Sequence, residues 1–301
     1  MYNIIGKTKY SYTFSIIISI LSLVAIFTWG LKLGIDFTGG TLMEIKFEQS
    51  IPTNQELQDN LGELDLKSLT IQPTENNSLI IRYAAEDDKI NEEVYKKIQE
   101  KYSGTEQLRA NFTNSSISKE LKSKSLWAIF WAVVGIMSYI AWAFRKVSRP
   151  VESWKYGAGA VIALVHDILI TVGAFAVLGH FQGIEVGIPF IAALMTILGF
   201  SVHDTIVVYD RTRENLLKSS AKESFPEIVN RSLNETLVRS INTSLTVLIT
   251  LLAIYFFGGE SIRDFSLALL IGIFFGTYSS IFVASALLVT SYKLQIRGKK
   301  I

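Results

Sequence analysis

The chain has 301 residues, of which 49% are hydrophobic and 19% are charged, and its formal net charge is +2 at pH 7. So apolar a composition is typical of a membrane protein, and the nearly neutral charge gives no reason to expect nucleic acid as a partner. The chain contains no cysteine, which excludes disulfides, thiolate catalysis and thiolate metal ligands.

Six segments are long and apolar enough to cross a bilayer core, which takes about 20 helical residues. The first is too long for a signal peptide and lacks a small-residue cleavage site, so we interpret it as an uncleaved anchor. The predicted spans are Phe14–Leu33, Leu126–Phe144, Ala158–Leu178, Ile188–Tyr209, Leu237–Phe257 and Phe265–Val289.

Basic residues collect on one side of these spans. The opposite loops, around HFQGIEVG and GGESIRD, contain only Arg263. Positively charged loops stay in the cytoplasm, so both termini are predicted to be cytoplasmic. The basic residues used are Lys7, Lys9, Arg145, Lys146, Arg149, Lys155, Arg211, Arg213, Lys218, Lys222, Arg231, Lys293, Arg297, Lys299 and Lys300.

About 90 polar residues lie between the first two spans, on the side away from the cytoplasm. TLMEIKFE predicts a strand, and TNQE at Thr53 predicts the capped start of a helix. LKSLTIQP and SLIIRYA predict a strand pair, DDKINEEVYKKIQEKY an amphipathic helix, and EQLRANFT a last strand. The order β-α-β-β-α-β predicts an α+β ferredoxin-like domain.

These elements predict an α-helical polytopic membrane protein with six transmembrane helices and one extracytoplasmic ferredoxin-like domain. The predicted divisions are residues 1–33 for the N-terminus and first helix, 34–124 for the extracytoplasmic domain, 125–290 for helices two to six, and 291–301 for a basic cytoplasmic tail.

Small and polar residues form stripes at helical spacing on four of the spans, and we expect each stripe to face a helix interface and avoid lipid. The stripes are Ala160, Ala163, Asp167, Thr171 and Ala174 on the third span; Thr196, Gly199, His203 and Asp204 on the fourth; Arg239, Asn242, Thr243, Thr246 and Thr250 on the fifth; and Ala268, Gly272, Gly276 and Ser280 on the sixth.

Ionisable residues inside these stripes are the candidate functional groups, because a charge near the centre of a bilayer costs about 2.5 to 3.5 kcal/mol on insertion scales. Asp204 and Arg239 lie at similar depth, so a structural ion pair is one interpretation. Asp167 has no obvious partner in the sequence, which favours a site that takes up and releases protons.

The three histidines separate into different classes. His166 and His203 each precede an aspartate, which puts neighbouring side chains about 100° apart and predicts that they do not touch. His166 fits a satisfied interface residue and His203 fits either such a residue or a proton relay. His180 is predicted to lie on a surface loop, and Asp210 to Glu214 at a solvated helix end.

A protonation event is large enough to move such a bundle. One proton crossing 100 mV releases about 2.3 kcal/mol. Leaving one partner of a buried ion pair uncompensated costs about 3 to 5 kcal/mol, which is comparable.

Five segments resemble the SecF branch of the SecD/SecF protein-export family: GIDFTGG, ALVHDILIT, GFSVHDTIVVYDRTREN, ETLVRSINTSLT and FGGESIRDFSLALLIGIFFGTYSS. They occur in the family's order and with its topology, over nearly the whole chain. His203 stands where the family more often has Asn, and Ser240 and Asn242 replace less polar residues.

The resemblance implies a subunit that acts with SecD and the SecYEG channel, and with YajC, in the bacterial cytoplasmic membrane. It would use the proton motive force, with protons as coupling ion and no other cofactor, to help unfolded secretory proteins complete translocation. It also implies kinship to RND transporters, a proton-coupling role for Asp167, Asp204 and Arg239 with His203 beside them, and a junction at Asp36, Gly39 and Gly40, where a tight glycine turn is expected.

Two other functions stay open at this point. One is an RND-like exporter of lipids or small molecules, which would need a partner because the chain has half of the usual twelve spans. The other is an intramembrane aspartyl protease built on Asp167 and Asp204, since two carboxyls sharing a proton are real chemistry. GFSVHDT lacks the glycine-acid signature of that class.

Overall fold

The computed structural model describes residues 1–48, 51–74, 77–85, 88–145, 151–219 and 223–298. Five basic residues used for the predicted topology, Lys146, Arg149, Lys222, Lys299 and Lys300, lie outside these ranges. The chain divides into two compact units, Leu33–Trp127 and a second unit formed by Met1–Lys32 with Ala128–Ile301.

The unit Leu33–Trp127 has the predicted order of elements. Its helices are α2 (Ile35–Thr38), α3 (Asn54–Leu61) and α4 (Lys89–Lys101), and its strands are β1 (Gly40–Phe47), β2 (Lys67–Pro73), β3 (Ser78–Ala84) and β4 (Thr105–Thr113). The strands form one antiparallel sheet in the order β2-β3-β1-β4. This order is the one that a split β-α-β unit gives, and it confirms the ferredoxin-like prediction.

One face of this sheet makes the core of the unit. Alternate residues of β1 and β3 point to the same side, where α3 and α4 cover them. The fully buried members are Met43, Ile45, Leu57, Leu61, Leu79, Ile81, Val94 and Ile98.

The capping box at the start of α3 is confirmed. The Glu56 N–H donates to Thr53 Oγ1 at 3.3 Å and the Thr53 N–H donates to Glu56 Oε2 at 2.8 Å. The bonds from the Thr53 backbone and hydroxyl hold the pKa of the Glu56 side chain below its usual range. Two backbone donors that a helix start leaves unpaired are thereby satisfied.

The glycine pair Gly39 and Gly40 makes a tight turn from the end of α2 into the start of β1. Gly39 has φ 79° at the end of α2, which contains Asp36. Gly40 has φ 122°, and a Cβ there would lie 2.5 Å from the Tyr83 carbonyl oxygen. Both positions require glycine, because other residues are strained at such φ angles. At Gly40 a Cβ would also clash with the Tyr83 carbonyl oxygen.

The second unit is helical. Its helices are α1 (Thr8–Trp29), the part of α5 (Ser115–Ala143) that follows Trp127, α6 (Ser153–Gln182), α7 (Ile188–Lys218), α8 (Phe225–Phe257), α9 (Glu260–Ser279) and α10 (Ser285–Gly298), with one π-helical turn, Ser280–Ala284, between the last two. Within the described residues six helical segments are long and apolar enough to span a membrane, the sixth being α9 to α10 without a break.

Two boundaries differ from the prediction. The first helix ends at Trp29 and not at Leu33, because Gly30 leaves the helix with φ 68°. His180 is exposed as expected but lies in the last turn of α6 and not in a loop, with its ring stacked on Trp29 at 5.0 Å. Beyond Tyr209, α7 continues as the predicted polar end, with ion pairs such as Asp210 to Arg213 at 2.6 Å.

We expect Gly40→Ala to destabilise the unit Leu33–Trp127 by about 1 to 3 kcal/mol, because the new methyl group meets the Tyr83 carbonyl at a strained φ. Gly62→Ala is the matched control, since a Cβ there meets open space. Hydrogen exchange of the β1 and β3 amides in the intact protein measures the difference. Equal protection in both variants would contradict the expected role of the turn.

Candidate functional site

Asp167 is the centre of a buried hydrogen-bond cluster. It lies on α6 with no exposed surface, and its Oδ2 accepts bonds from Ser201 Oγ of α7 at 2.6 Å and Ser279 Oγ of α9 at 2.7 Å. His166 Nδ1 lies 2.9 Å from Oδ1. We call Asp167, His166, Ser201 and Ser279 the Asp167 cluster. The expectation that Asp167 lacks a partner is therefore wrong.

The contact between His166 and Asp167 also corrects the prediction that neighbouring side chains stay apart. Both side chains turn toward each other over one helix face, and the His166 ring is buried against Tyr278 at 6.3 Å between centroids. His166 Nε2 is buried and has no hydrogen-bond partner. The neutral ring with its proton on Nδ1 leaves only an unpaired acceptor at Nε2, which is the cheaper arrangement.

The cluster can form because α9 approaches α7 closely. A Cβ at Gly272 would lie 2.2 Å from Ile197 Cδ1, and one at Gly276 would lie 3.1 Å from Ser201 Cβ and 3.6 Å from Asp167 Oδ2. Ala268 and Ser280 on the same ridge are fully buried. The predicted small-residue interface on the sixth span is thus observed, and it brings Ser279 within reach of Asp167.

A π-helical turn, Ser280–Ala284, follows directly after Ser279. Ser280 Oγ donates to the Ser201 carbonyl at 3.2 Å and lies 3.0 Å from Thr205 Oγ1. A π-helical turn is wider than an α-helical turn, and such turns recur at functional sites. Two consecutive serines therefore bond to two different helices: Ser279 bonds to α6, and Ser280 bonds to α7.

Asp204 has a different environment from Asp167. It is 3% exposed on α7, and its Oδ2 is buried with no hydrogen-bond partner among the described residues. The Ser240 side chain of the neighbouring α8 interacts with the Asp204 carboxyl, but its Oγ is also buried and makes no hydrogen bond of normal geometry within the described ranges. Leaving two polar atoms unsatisfied costs free energy, which marks this point as a candidate site for water or a proton.

The predicted ion pair between Asp204 and Arg239 is wrong for this chain. Across the described ranges no acid lies within 4.0 Å of the Arg239 side chain, which is exposed. Arg239 and His203 act on Asp204 only at longer electrostatic range.

The polar stripe of α8 does not face another helix of this chain within the described residues, contrary to the expected bundle interior. Its five residues are exposed, as are Thr196, Gly199 and His203 on the adjoining α7. We call this surface the open polar face; its members are Thr196, Gly199, His203, Arg239, Asn242, Thr243, Thr246 and Thr250. The threonine hydroxyls donate to carbonyls of their own helices. The α6 stripe does face other helices, whereas Ile162 and Val165 beside it are exposed.

The structure thus separates the four residues predicted to couple protons. Asp167 is sealed among α6, α7 and α9, Asp204 lies buried beside the open polar face, and His203 and Arg239 belong to that face. No group of three His, Asp or Glu in the described part of the chain is arranged to hold a metal ion. Sequence reasoning missed Ser201 and Ser279, although Ser279 lies seven residues after Gly272 and three after Gly276 and therefore near the same helix face.

We expect Gly272→Ala to destabilise the helical unit by about 1 to 3 kcal/mol, because the methyl group overlaps Ile197 in a packed interface. Gly135→Ala on α5 is the control, since nothing lies near its Cβ. The double variant Gly272→Ala, Ile197→Ala should lose less stability than the sum of the two single variants, because the shorter side chain removes the overlap. Thermal unfolding in detergent tests this, and an unchanged midpoint for Gly272→Ala would contradict the close approach.

Comparison with known proteins places these features in a family. Residues 93–294 match the family model described as "Protein export membrane protein SecD/SecF, C-terminal", and residues 24–51 match the model described as "SecD/SecF GG Motif". The second match covers the glycine turn at Gly39 and Gly40.

Curated relatives are similar over most of their length. The Protein translocase subunit SecF of Thermobaculum terrenum is 44% identical, over 93% of this chain and 90% of that protein. The protein of the same name from Haemophilus influenzae is 36% identical, over 93% of this chain and 82% of that protein.

Two solved structures share the fold. The crystal structure of SecDF, a translocon-associated membrane protein from Thermus thermophilus, has a TM-score of 0.82 and 34% identity over 96% of this chain. SecDF in the super-membrane-facing form has a TM-score of 0.70 and 33% identity over 99%. This chain spans only 38% and 40% of those two chains.

Proposed function

This chain belongs to the SecD/SecF protein-export family, and from that premise we propose that it is a SecF-type accessory subunit of Sec protein export, driven by the proton motive force. Its relatives are protein translocase subunits, and it is a multi-pass membrane protein of six helices with one polar domain. We propose that both termini are cytoplasmic, that the polar domain is extracytoplasmic, and that its substrates are unfolded secretory proteins.

A SecD-type subunit is the partner. The solved relatives are named SecDF, and this chain covers well under half of each. The open polar face gives a physical reason to expect a second membrane subunit. Arg239 and Asn242 make no hydrogen bond within the described residues, and polar side chains in a bilayer seek protein partners because lipid offers none. Contact with the SecYEG channel and with YajC belongs to the same proposal.

The observation that carries the proton-coupling part of the proposal is Asp204. Its Oδ2 is buried beside the open polar face with no partner among the described residues, within electrostatic range of His203 and Arg239. A proton that reaches this carboxyl changes the charge next to that face, and about 2.3 kcal/mol per proton is available at 100 mV. Protons are the coupling ion, and no other cofactor is part of the mechanism.

The two competing functions are less well supported. An aspartyl protease needs two carboxyls that share a proton, but the hydrogen bonds of Asp167 go to His166, Ser201 and Ser279, and none of them goes to Asp204. An RND-like exporter of lipids or small molecules agrees with the fold, but the relatives reported above are translocase subunits. We therefore propose a transport role without enzymatic activity.

We expect Asp204→Asn to abolish proton-dependent completion of export, because an amide at this point cannot gain or lose a proton. Asp210→Asn makes the same chemical change two turns along α7 at an exposed ion pair and should export normally. The measurement is the translocated fraction of a secretory protein in energised membrane vesicles that contain the partner subunits. Normal export by Asp204→Asn would refute the coupling role.

The partner's position can be mapped directly because the chain has no cysteine. A benzophenone attached to Cys in Thr246→Cys, on the open polar face, should cross-link to the SecD-type subunit, because the two surfaces are in contact. The same probe on Val165→Cys, on the exposed apolar side of α6, should cross-link much less. Equal yields at both positions would argue against this face as the interface.

A further inference from the structure

The two intramembrane aspartates differ in access and in bonding. Asp167 has no exposed surface, and both of its oxygens have partners. Asp204 has an unpartnered oxygen and lies next to exposed polar residues. Proton exchange requires a route to the carboxyl and an atom free to bind the proton. Asp204 has an oxygen without a partner in the described part of the chain and adjoins the open polar face, whereas both oxygens of Asp167 are bonded and the residue is sealed among helices.

The bonds of Asp167 converge on the part of α7 that carries Asp204. Ser201 donates to Asp167 and lies one turn before Asp204, and its carbonyl accepts bonds from Thr205 at 3.1 Å and Ser280 at 3.2 Å. This turn of α7 is therefore tied to α6 through Asp167 and to the π-helical turn through Ser280. The titratable groups that face Asp167 are His166, from its own helix, and Tyr278 of α9, which contacts the His166 ring.

We propose that Asp167 is a positioning residue: with Ser201 and Ser279 it fixes the α7 turn that carries Asp204, and it does not exchange protons during the transport cycle. This inference rests on the proposed function and narrows its proton-coupling set to Asp204, His203 and Arg239. It assigns to Ser201 and Ser279 a role in holding the α7 turn on which proton coupling at Asp204 depends.

Hydrogen-bond chemistry gives a specific expectation for an amide at this position. The carbonyl oxygen of Asn has two lone pairs and accepts from both serines, and its amide group donates to His166 Nδ1 when the ring proton moves to Nε2. Each of the three bonds is thereby retained, although the buried Nε2 changes from an unpaired acceptor to an unpaired donor, which costs some stability. Asp167→Ala removes all of them and leaves the Ser201 hydroxyl without its only bond partner among the described side chains.

The experiment compares Asp167→Asn, Asp167→Ala and Asp204→Asn in the full chain with its partner subunits. Asp167→Asn is expected to keep the proton-driven export of the unmodified protein and to lower the melting temperature less than Asp167→Ala does. Asp167→Ala is expected to lower both export and the melting temperature. Asp204→Asn is expected to lose proton-driven export at an unchanged melting temperature.

A hydrophobic carbodiimide, which reacts with protonated carboxyl groups, gives a second readout that a purely structural effect does not change. Peptide mass analysis is expected to find Asp204 labelled and Asp167 unlabelled. Labelling of Asp167, a melting temperature of Asp167→Asn as low as that of Asp167→Ala, or lost export in Asp167→Asn would each overturn the inference. Normal export by Asp204→Asn would instead refute the proposed coupling role, so the two failures are distinguishable.

Discussion

The absence of water in the bilayer core is the constraint on which this structure depends. A polar group in hydrocarbon must find its partner inside protein, and a missing partner costs several kcal/mol, in the range of about 4 to 8 kcal/mol for full transfer to an apolar solvent. The chain meets this demand in two ways. Serine and threonine hydroxyls donate to carbonyls of their own helices, as Thr171 and Thr212 do, or they gather around a single acceptor, as at Asp167.

The second way requires helices to approach closely, which depends on residues with little or no side chain. Gly272 and Gly276 let α9 lie against α7 at distances that a methyl group would prevent. Only then do a serine on α9 and a serine on α7 reach the same carboxyl oxygen on α6. The π-helical turn after Ser279 adds a wide turn at this point and directs the next serine to α7. The same close approach of α9 to α7 therefore provides both the packing of small residues and the hydrogen bonds to the buried Asp167 carboxyl.

The same constraint applies to the polar surface that the helices of this chain leave uncovered. The open polar face presents an arginine and an asparagine at membrane depth, and lipid cannot stabilise either group. A second membrane subunit that covers this face would surround Asp204 with protein on both sides. Protonation of that carboxyl would then change the electrostatics of an interface between two subunits, where a small change in free energy alters the relative stability of two arrangements.

The sequence by itself determined the elements and their order, because local patterns carry that information. Apolar length located the six spans, alternation and capping located the strands and helices of the polar domain, and the glycine pair before β1 marked its turn. The small-residue ridge on the sixth span also predicted an interface correctly. These features depend on neighbours within a few residues, which one sequence contains.

Only the tertiary structure decided which polar stripes face inward. The stripes on α6 and α8 look alike in the sequence, yet one is buried in the bundle and the other is exposed, since periodicity defines a helix face but not what covers it. The partners of Asp167 lie 34 and 112 residues away along the chain, and the contact with His166 depends on side-chain rotamers. Arg239 has the spacing and depth of an ion-pair partner for Asp204, but the orientation of α8 turns it away, and that orientation follows from packing across the whole bundle.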